Sequence, residues 1–113
     1  MVPTSSKVLT QMRKGVLEFC VLAYLKDRTS YGLEIASGLG AHVALFSSEG
    51  TLYPLLARLR KQGYVETLWH DSTSGPPRRY YTLTSDGAAA LEEFITAWRP
   101  FVQEVTLILE GTK

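Results

Sequence analysis

Between residues 9 and 25 the apolar side chains fall at Leu9, Met12, Val16, Phe19, Cys20 and Ala23, joined by Val21, Leu22 and Leu25. That is the broad stripe of an amphipathic helix, with Gly15 its one weak point. The polar run Asp27-Arg28-Thr29-Ser30 ends it. Ser30 is placed to cap a short second helix, because its hydroxyl can reach an orphan N–H while Glu34 sits in the first turn. Tyr31, Ile35 and Leu39 share one face of that helix, and Gly38 and Gly40 close it. A linker over 41–46 follows.

Ser47 and Ser48 offer the next cap. Leu52, Leu55, Leu56 and Leu59 then recur at the spacing of a narrow apolar helix face, and Gly63 supplies its stop. Pro54 lacks an N–H and crowds the residue four back, but that residue is Gly50, so the helix survives with a bend. Residues 64–70 and 79–83 are rich in β-branched and aromatic side chains, and 71–77 read as pure turn chemistry. The pair is a β-hairpin with a long loop. Thr84 or Ser85 starts a last helix with Asp86 in its first turn. Its apolar positions Leu91, Ile95, Trp98, Val102, Val105 and Leu109 form a heptad-like seam, widened by Phe94, Phe101 and Ile108.

A chain of 113 residues with 45% apolar side chains makes one compact unit. Its single cysteine excludes an internal disulfide framework and argues against a cysteine-rich zinc module. No apolar run reaches the roughly 18 residues that span a bilayer, and residues 1–7 lack the apolar core of a secretory signal. The expected location is cytoplasmic, with no membrane partner and no cofactor. Net charge of +1 conceals a division: residues 1–82 carry ten basic and six acidic side chains, residues 83–113 two and five. A basic body suits contact with a polyanion.

Three helices followed by a two-stranded hairpin is the order of a winged helix-turn-helix, in a mainly α chain with a small β-hairpin (α+β). In that fold the third helix enters a major groove and the hairpin touches the flanking backbone. Opposite or flanking its leucines the third helix carries Ser47, Gly50, Thr51, Pro54, Ala57, Arg58 and Lys61, small near the start and basic further on. Base edges demand such a face, since bulk holds the backbone away; a solvated amphipathic helix is the plainer reading. Arg78 and Arg79 stand beside Gly75-Pro76-Pro77 at a projecting loop, where they suit phosphate oxygens or a narrow minor groove. Strand alternation puts Tyr81 and Leu83 on one side, and Arg78, Tyr80 and Thr82 on the other.

The stretches Glu49-Gly50-Thr51-Leu52-Tyr53-Pro54-Leu55-Leu56-Ala57-Arg58-Leu59 and Gly63-Tyr64-Val65 resemble the third-helix motif of the PadR family of bacterial transcriptional regulators. Gly15-x-Leu17-Glu18, Tyr31-Gly32-Leu33-Glu34-Ile35 and Pro77-Arg78-Arg79-Tyr80-Tyr81-Thr82-Leu83-Thr84 are similar to its first two helices and its wing. The resemblance covers about residues 13–95. It implies a homodimeric repressor that binds a roughly palindromic double-stranded DNA operator. Residues 1–84 would form the DNA-binding winged helix-turn-helix and 85–113 the dimerisation helix. A single C-terminal helix resembles the short subfamily, which includes a multidrug-binding regulator with a flat pore lined by a tryptophan. Trp98 matches that position, while Pro100 departs from the pattern and bears on the direction of the helix beyond it.

One recognition helix is too little for operator-level specificity, so two, about 34 Å apart on a two-fold dimer, are expected. Thr51, Tyr53 and Pro54 are expected at bases or sugars, and Ser47 and Ser48 at a phosphate near the helix start. Arg58 and Lys61 are assigned to the backbone, Arg78 and Arg79 to the flank. The dimer interface is expected at Leu91, Phe94, Ile95, Trp98, Phe101 and Val105, because the seam is too apolar to leave in water; packing within one subunit is the alternative. Trp98, Met12, Phe19 and Val102 are expected to wall a slot for a small aromatic effector. An enzyme has little to rest on: Cys20 lies in an apolar stripe, and His42 and His70 have no nucleophile pattern beside them. No metal-ligand spacing supports a metal sensor built on His42, His70 and Asp71. A winged-helix protein-interaction module without specific DNA binding remains the alternative function.

Overall fold

In the computed structural model, which describes residues 2–46 and 49–111, Gly15 takes φ +77°. This left-handed backbone suits glycine and breaks a helix. The helix expected over 9–25 is therefore two: α1 (Ser5–Arg13) and α2 (Leu17–Leu25). Helix α1 starts at Thr4, whose Oγ1 accepts from the Lys7 N–H at 3.3 Å, and it buries no residue. The Arg13 Nε–H donates to the Ala44 carbonyl at 3.0 Å and fastens the end of α1 to the loop before the third-helix leucines. Helix α2 is central, with Leu17, Val21, Leu22 and Leu25 buried.

Ser30 does not cap the next helix. It is 4% exposed and forms, with Tyr31, the short strand β1 (Ser30–Tyr31). Helix α3 (Gly32–Gly40) starts after Tyr31, whose backbone N–H donates to Glu34 Oε1 at 3.2 Å, so the acidic residue does cap the first turn, one position later than expected. Gly38 does not close α3 but lies within it, under the ring of Tyr24. Helix α4 (Glu49–Lys61) buries Leu52, Leu55, Leu56 and Leu59 and runs through Pro54. The expected cap at Ser47 and Ser48 lies outside the described residues. Helix α4 ends at Gly63, φ +81°, with the Tyr64 N–H on the Leu59 carbonyl and the Gly63 N–H on that of Arg60, both at 3.0 Å. This is a Schellman motif.

The hairpin is longer and tighter than its composition suggests. Strands β2 (Val65–Ser72) and β3 (Gly75–Leu83) leave only Thr73 and Ser74 to turn the chain, so most of the expected loop 71–77 is strand. Pro76 and Pro77, as adjacent residues, turn their backbone nitrogens to opposite edges of β3. One proline faces the edge that β1, paired only with Tyr80 and Tyr81, leaves open, and the other faces β2 at the irregularity in register between His70 and Ser72. The antiparallel sheet has the order β1-β3-β2. Alternation along β3 is as expected: Tyr81 is buried and Leu83 packs against the core.

Helix α5 (Ser85–Leu109) is capped by Thr84, whose Oγ1 accepts from the Gly87 N–H at 3.0 Å and donates to the Gly63 carbonyl at 2.6 Å. One threonine thus joins the end of α4, the exit of the wing and the start of α5. Leu91 is 3% exposed within the chain's own core, which corrects its assignment to a dimer interface: it is already buried in the cluster where α5 packs against the body of the protein. Beyond Leu91 the helix continues through Pro100 and leaves the core, in a molecule extending 56 × 32 × 22 Å.

Candidate nucleic-acid interface

With Leu52, Leu55, Leu56 and Leu59 turned inward, the geometry of α4 divides its remaining residues into three strips. Gly50, Pro54, Ala57 and Lys61 point outward, all exposed. Thr51, Pro54 and Arg58 border a cleft of about 410 Å³ shared with α1, α2 and Leu45, whose other walls include Arg13, Lys14 and Glu18. Tyr53, Ala57, Arg60 and Lys61 border a crevice of about 430 Å³ whose far wall is Arg79 and Tyr81 of the wing. The outer strip is small and ends in a cation, the shape a helix needs to enter a groove. Tyr53 is 48% exposed, and its ring lies over Gly32 at the start of α3, where even a methyl group would meet it.

The wing arginines are not in a loop. Arg78 stands opposite His70 and Arg79 opposite Trp69 in the β2–β3 ladder, so their side chains leave opposite faces of the sheet. Arg78 lies over the Tyr31 ring, 4.5 Å from its centre, beside the edge-on contacts of Tyr80 with Tyr31 and His70. Arg79 lies over the Trp69 ring at 4.9 Å. Stacking of this kind restrains a guanidinium while leaving its terminal N–H groups free to donate. Arg58 is engaged by Glu18, Nη2 to Oε2 at 3.6 Å. Arg60 and Trp69 escaped the sequence reading: Arg60 falls beside the leucines on a helical wheel, and Trp69 matters only once the hairpin register is known.

Residues expected to line an effector slot are joined differently from the expectation. Phe19 stacks on Phe94 at 4.3 Å with the rings 10° apart, and Phe94 stacks on Trp98 at 5.3 Å and 23°. Phe94 thus links Phe19 to Trp98, while Val102 is half-buried and Met12 is 58% exposed on α1. Ile95, Trp98, Phe101 and Val105 are all exposed on α5. Burial raises the Cys20 thiol above its ordinary pKa, which makes it a poor nucleophile. Among the described residues no three His, Cys, Asp or Glu side chains are grouped to hold a metal ion, and no helix is long and apolar enough to cross a membrane.

The sequence model of the transcriptional regulator PadR-like family matches residues 21–93, from within α2 to the first half of α5. The chain belongs to this family. A PadR-like transcriptional regulator from Bacillus cereus is 40% identical in sequence, with a TM-score of 0.78 over 89% of this chain and 98% of that one. A PadR family transcriptional regulator from Eggerthella lenta is 32% identical, with a TM-score of 0.81 over 93% of this chain and 91% of the other. An uncharacterised protein of Lysinibacillus sphaericus is 29% identical over 106 residues, 92% of this chain and 97% of its own. The matched PadR segment contains α3, α4 and the whole wing, so every described interface residue assigned above lies inside it. The winged-helix architecture and the role of a transcriptional regulator are those of the PadR family.

Proposed function

We propose that this PadR-family regulator is a repressor that binds a palindromic operator as a homodimer, with α4 in the major groove. The observation that carries the reading is the outer strip of α4, small from Gly50 to Ala57, ending in Lys61 and flanked by the wing cations. In this reading Thr51, Tyr53 and Pro54 meet bases or sugars, Ser47 and Ser48 a phosphate, and Arg58 and Lys61 the backbone. Arg78 and Arg79 hold the flank from the two faces of the wing. A two-fold dimer sets two such helices about 34 Å apart. The exposed apolar side chains Ile95, Trp98, Phe101, Val105 and Ile108 support α5 as the clasp, since so much contiguous apolar surface is costly in water.

The parallel rings Phe19, Phe94 and Trp98 support release by a flat aromatic molecule, stacked on Trp98 between subunits with Met12 and Val102 at its edges. Release then requires that the molecule bind one spacing of the two wings better than another. Leu68 and Trp69, each more than half exposed on the wing, favour a second reading, a winged-helix module that docks on protein. A gel shift with duplex DNA from upstream of the chain's own gene separates the two. The repressor gives a shift that survives competitor DNA; the protein-docking module gives only nonspecific binding at low salt. Quenching of Trp98 by planar aromatic compounds, in a Trp69→Phe background, tests the effector site.

A further inference from the structure

The crevice between α4 and the wing gathers three cations, Arg60, Lys61 and Arg79, around Tyr53, Ala57 and Tyr81, with no carboxylate among the described residues of its walls. Among the described residues the ion pair formed is Arg58 with Glu18, and none of the three takes part in one. Like charges facing one small space repel, and a shared anion relieves them. Two of the three lie in the last turn of α4, where the negative end of the helix dipole would otherwise repel an anion. The third is fixed from the wing. Arg79 lies over the Trp69 ring, and its Nε is buried without an acceptor, so its remaining donors are the terminal nitrogens. Trp69 itself is 58% exposed, a large ring left in water whose face carries this guanidinium.

We propose that this crevice seats one backbone phosphate of duplex DNA, held jointly by Arg60, Lys61 and Arg79, and that Trp69 positions Arg79 for it. A phosphodiester offers one charge and two free oxygens, matched by a guanidinium fork and neighbouring point charges. The seat lies beside the face of α4 assigned to the groove, where a strand backbone would run between helix and wing. The proposal rests on the DNA-binding reading and adds Arg60 and Trp69 to it.

The test is the salt dependence of binding to a duplex from upstream of the chain's own gene, measured by fluorescence anisotropy. Each neutralised phosphate contributes about 0.9 to the slope of log K against log salt. Arg60→Ala and Arg79→Ala should each weaken binding by about tenfold and flatten the slope by up to about 0.9. Because one phosphate is shared, the double variant should lose no more slope than about 0.9. A loss of about 1.8 in the double variant assigns two separate phosphates and overturns the shared seat. Trp69→Ala should reproduce Arg79→Ala and add nothing on that background, and Trp69→Phe should restore binding; a wild-type slope in Trp69→Ala overturns the positioning role. Unchanged affinity and slope in all these variants overturns the seat and leaves the DNA-binding reading standing. A wild-type chain that binds no duplex overturns both.

Discussion

Arg58 reaches from α4 to Glu18 on α2, Nη2 to Oε2 at 3.6 Å, with the arginine 58% and the glutamate 22% exposed. The contact holds one cation of α4 against the body of the protein. It also leaves a carboxylate at the edge of the surface that would meet DNA. Because the pair is wet, it contributes at most about 1 kcal/mol to stability. Glu18→Gln should therefore leave the urea midpoint almost unchanged while tightening DNA binding several-fold at low salt. The salt slope should steepen, by up to about 0.9 if Arg58 gains a phosphate. A variant that binds DNA no better than wild type shows that the contact with Glu18 does not hold Arg58 back from the backbone.

Gly87 has a different kind of constraint. A methyl group there would run into the Tyr64 carbonyl oxygen and come within 2.8 Å of Leu83 Cδ1. The obstruction is backbone, and Tyr64 cannot retreat, because its carbonyl accepts from Thr84 at 3.1 Å and its N–H is committed to Leu59. Gly87→Ala should cost about 2–3 kcal/mol, read from urea unfolding. Gly40→Ala is the control, since nothing lies within 4 Å of its added carbon, and it should be neutral or mildly stabilising.

Elements whose identity depends on periodicity were legible in the sequence. The leucines of α4, a start of α5 at Thr84 or Ser85 and the inward alternation of Tyr81 and Leu83 follow from local spacing, and the structure chooses Thr84 as the cap. What local pattern does not carry is pairing with distant segments. Ser30 is a strand residue because Tyr81, remote in sequence, lies opposite it. Pro76 and Pro77 fit in β3 because β1 is too short to reach them on one edge and the ladder with β2 is irregular between His70 and Ser72 on the other. Gly15 breaks a stripe that is otherwise continuous, since apolar spacing records burial and says nothing of φ. At the candidate site the same division holds. The composition of α4 announces its outer strip, whereas the partners of Arg58, Arg78 and Arg79 depend on interhelical packing and hairpin register.

Cys20 gives a pH dependence whose sign is fixed by its surroundings. Burial disfavours the thiolate and raises its pKa in the folded chain above the ordinary thiol value. Above that ordinary value the unfolded chain loses this proton first, so the folded state binds more protons and stability falls as pH rises. The contribution is complete below the unfolded thiol pKa and is lost as pH climbs through the folded one. Cys20→Ala should therefore reduce the alkaline decline in urea midpoint relative to wild type. Iodoacetamide should alkylate folded Cys20 more slowly than the unfolded chain at the same pH. Equal alkylation rates would contradict the burial argument.

Leu91 and Ile108 lie on one helix and have opposite situations, 3% and 75% exposed. Leu91→Ala removes buried volume from the core cluster and should lower folding stability by about 2–5 kcal/mol. Its folded fraction should keep the assembled mass, because Leu91 faces its own core. Ile108→Asp touches no core residue and should leave the far-ultraviolet dichroism of the protomer intact. A charge in an apolar clasp, however, is buried against a partner without a counter-ion, and the assembly should fall apart. Sedimentation at micromolar concentration should then give a dimer for wild type and a monomer for Ile108→Asp. Phe101→Asp, at a site 62% exposed on the same helix, should do the same. The monomers should bind DNA far more weakly, because each half-operator is then paid for separately in orientational entropy. A dimer that survives both substitutions rejects α5 as the clasp.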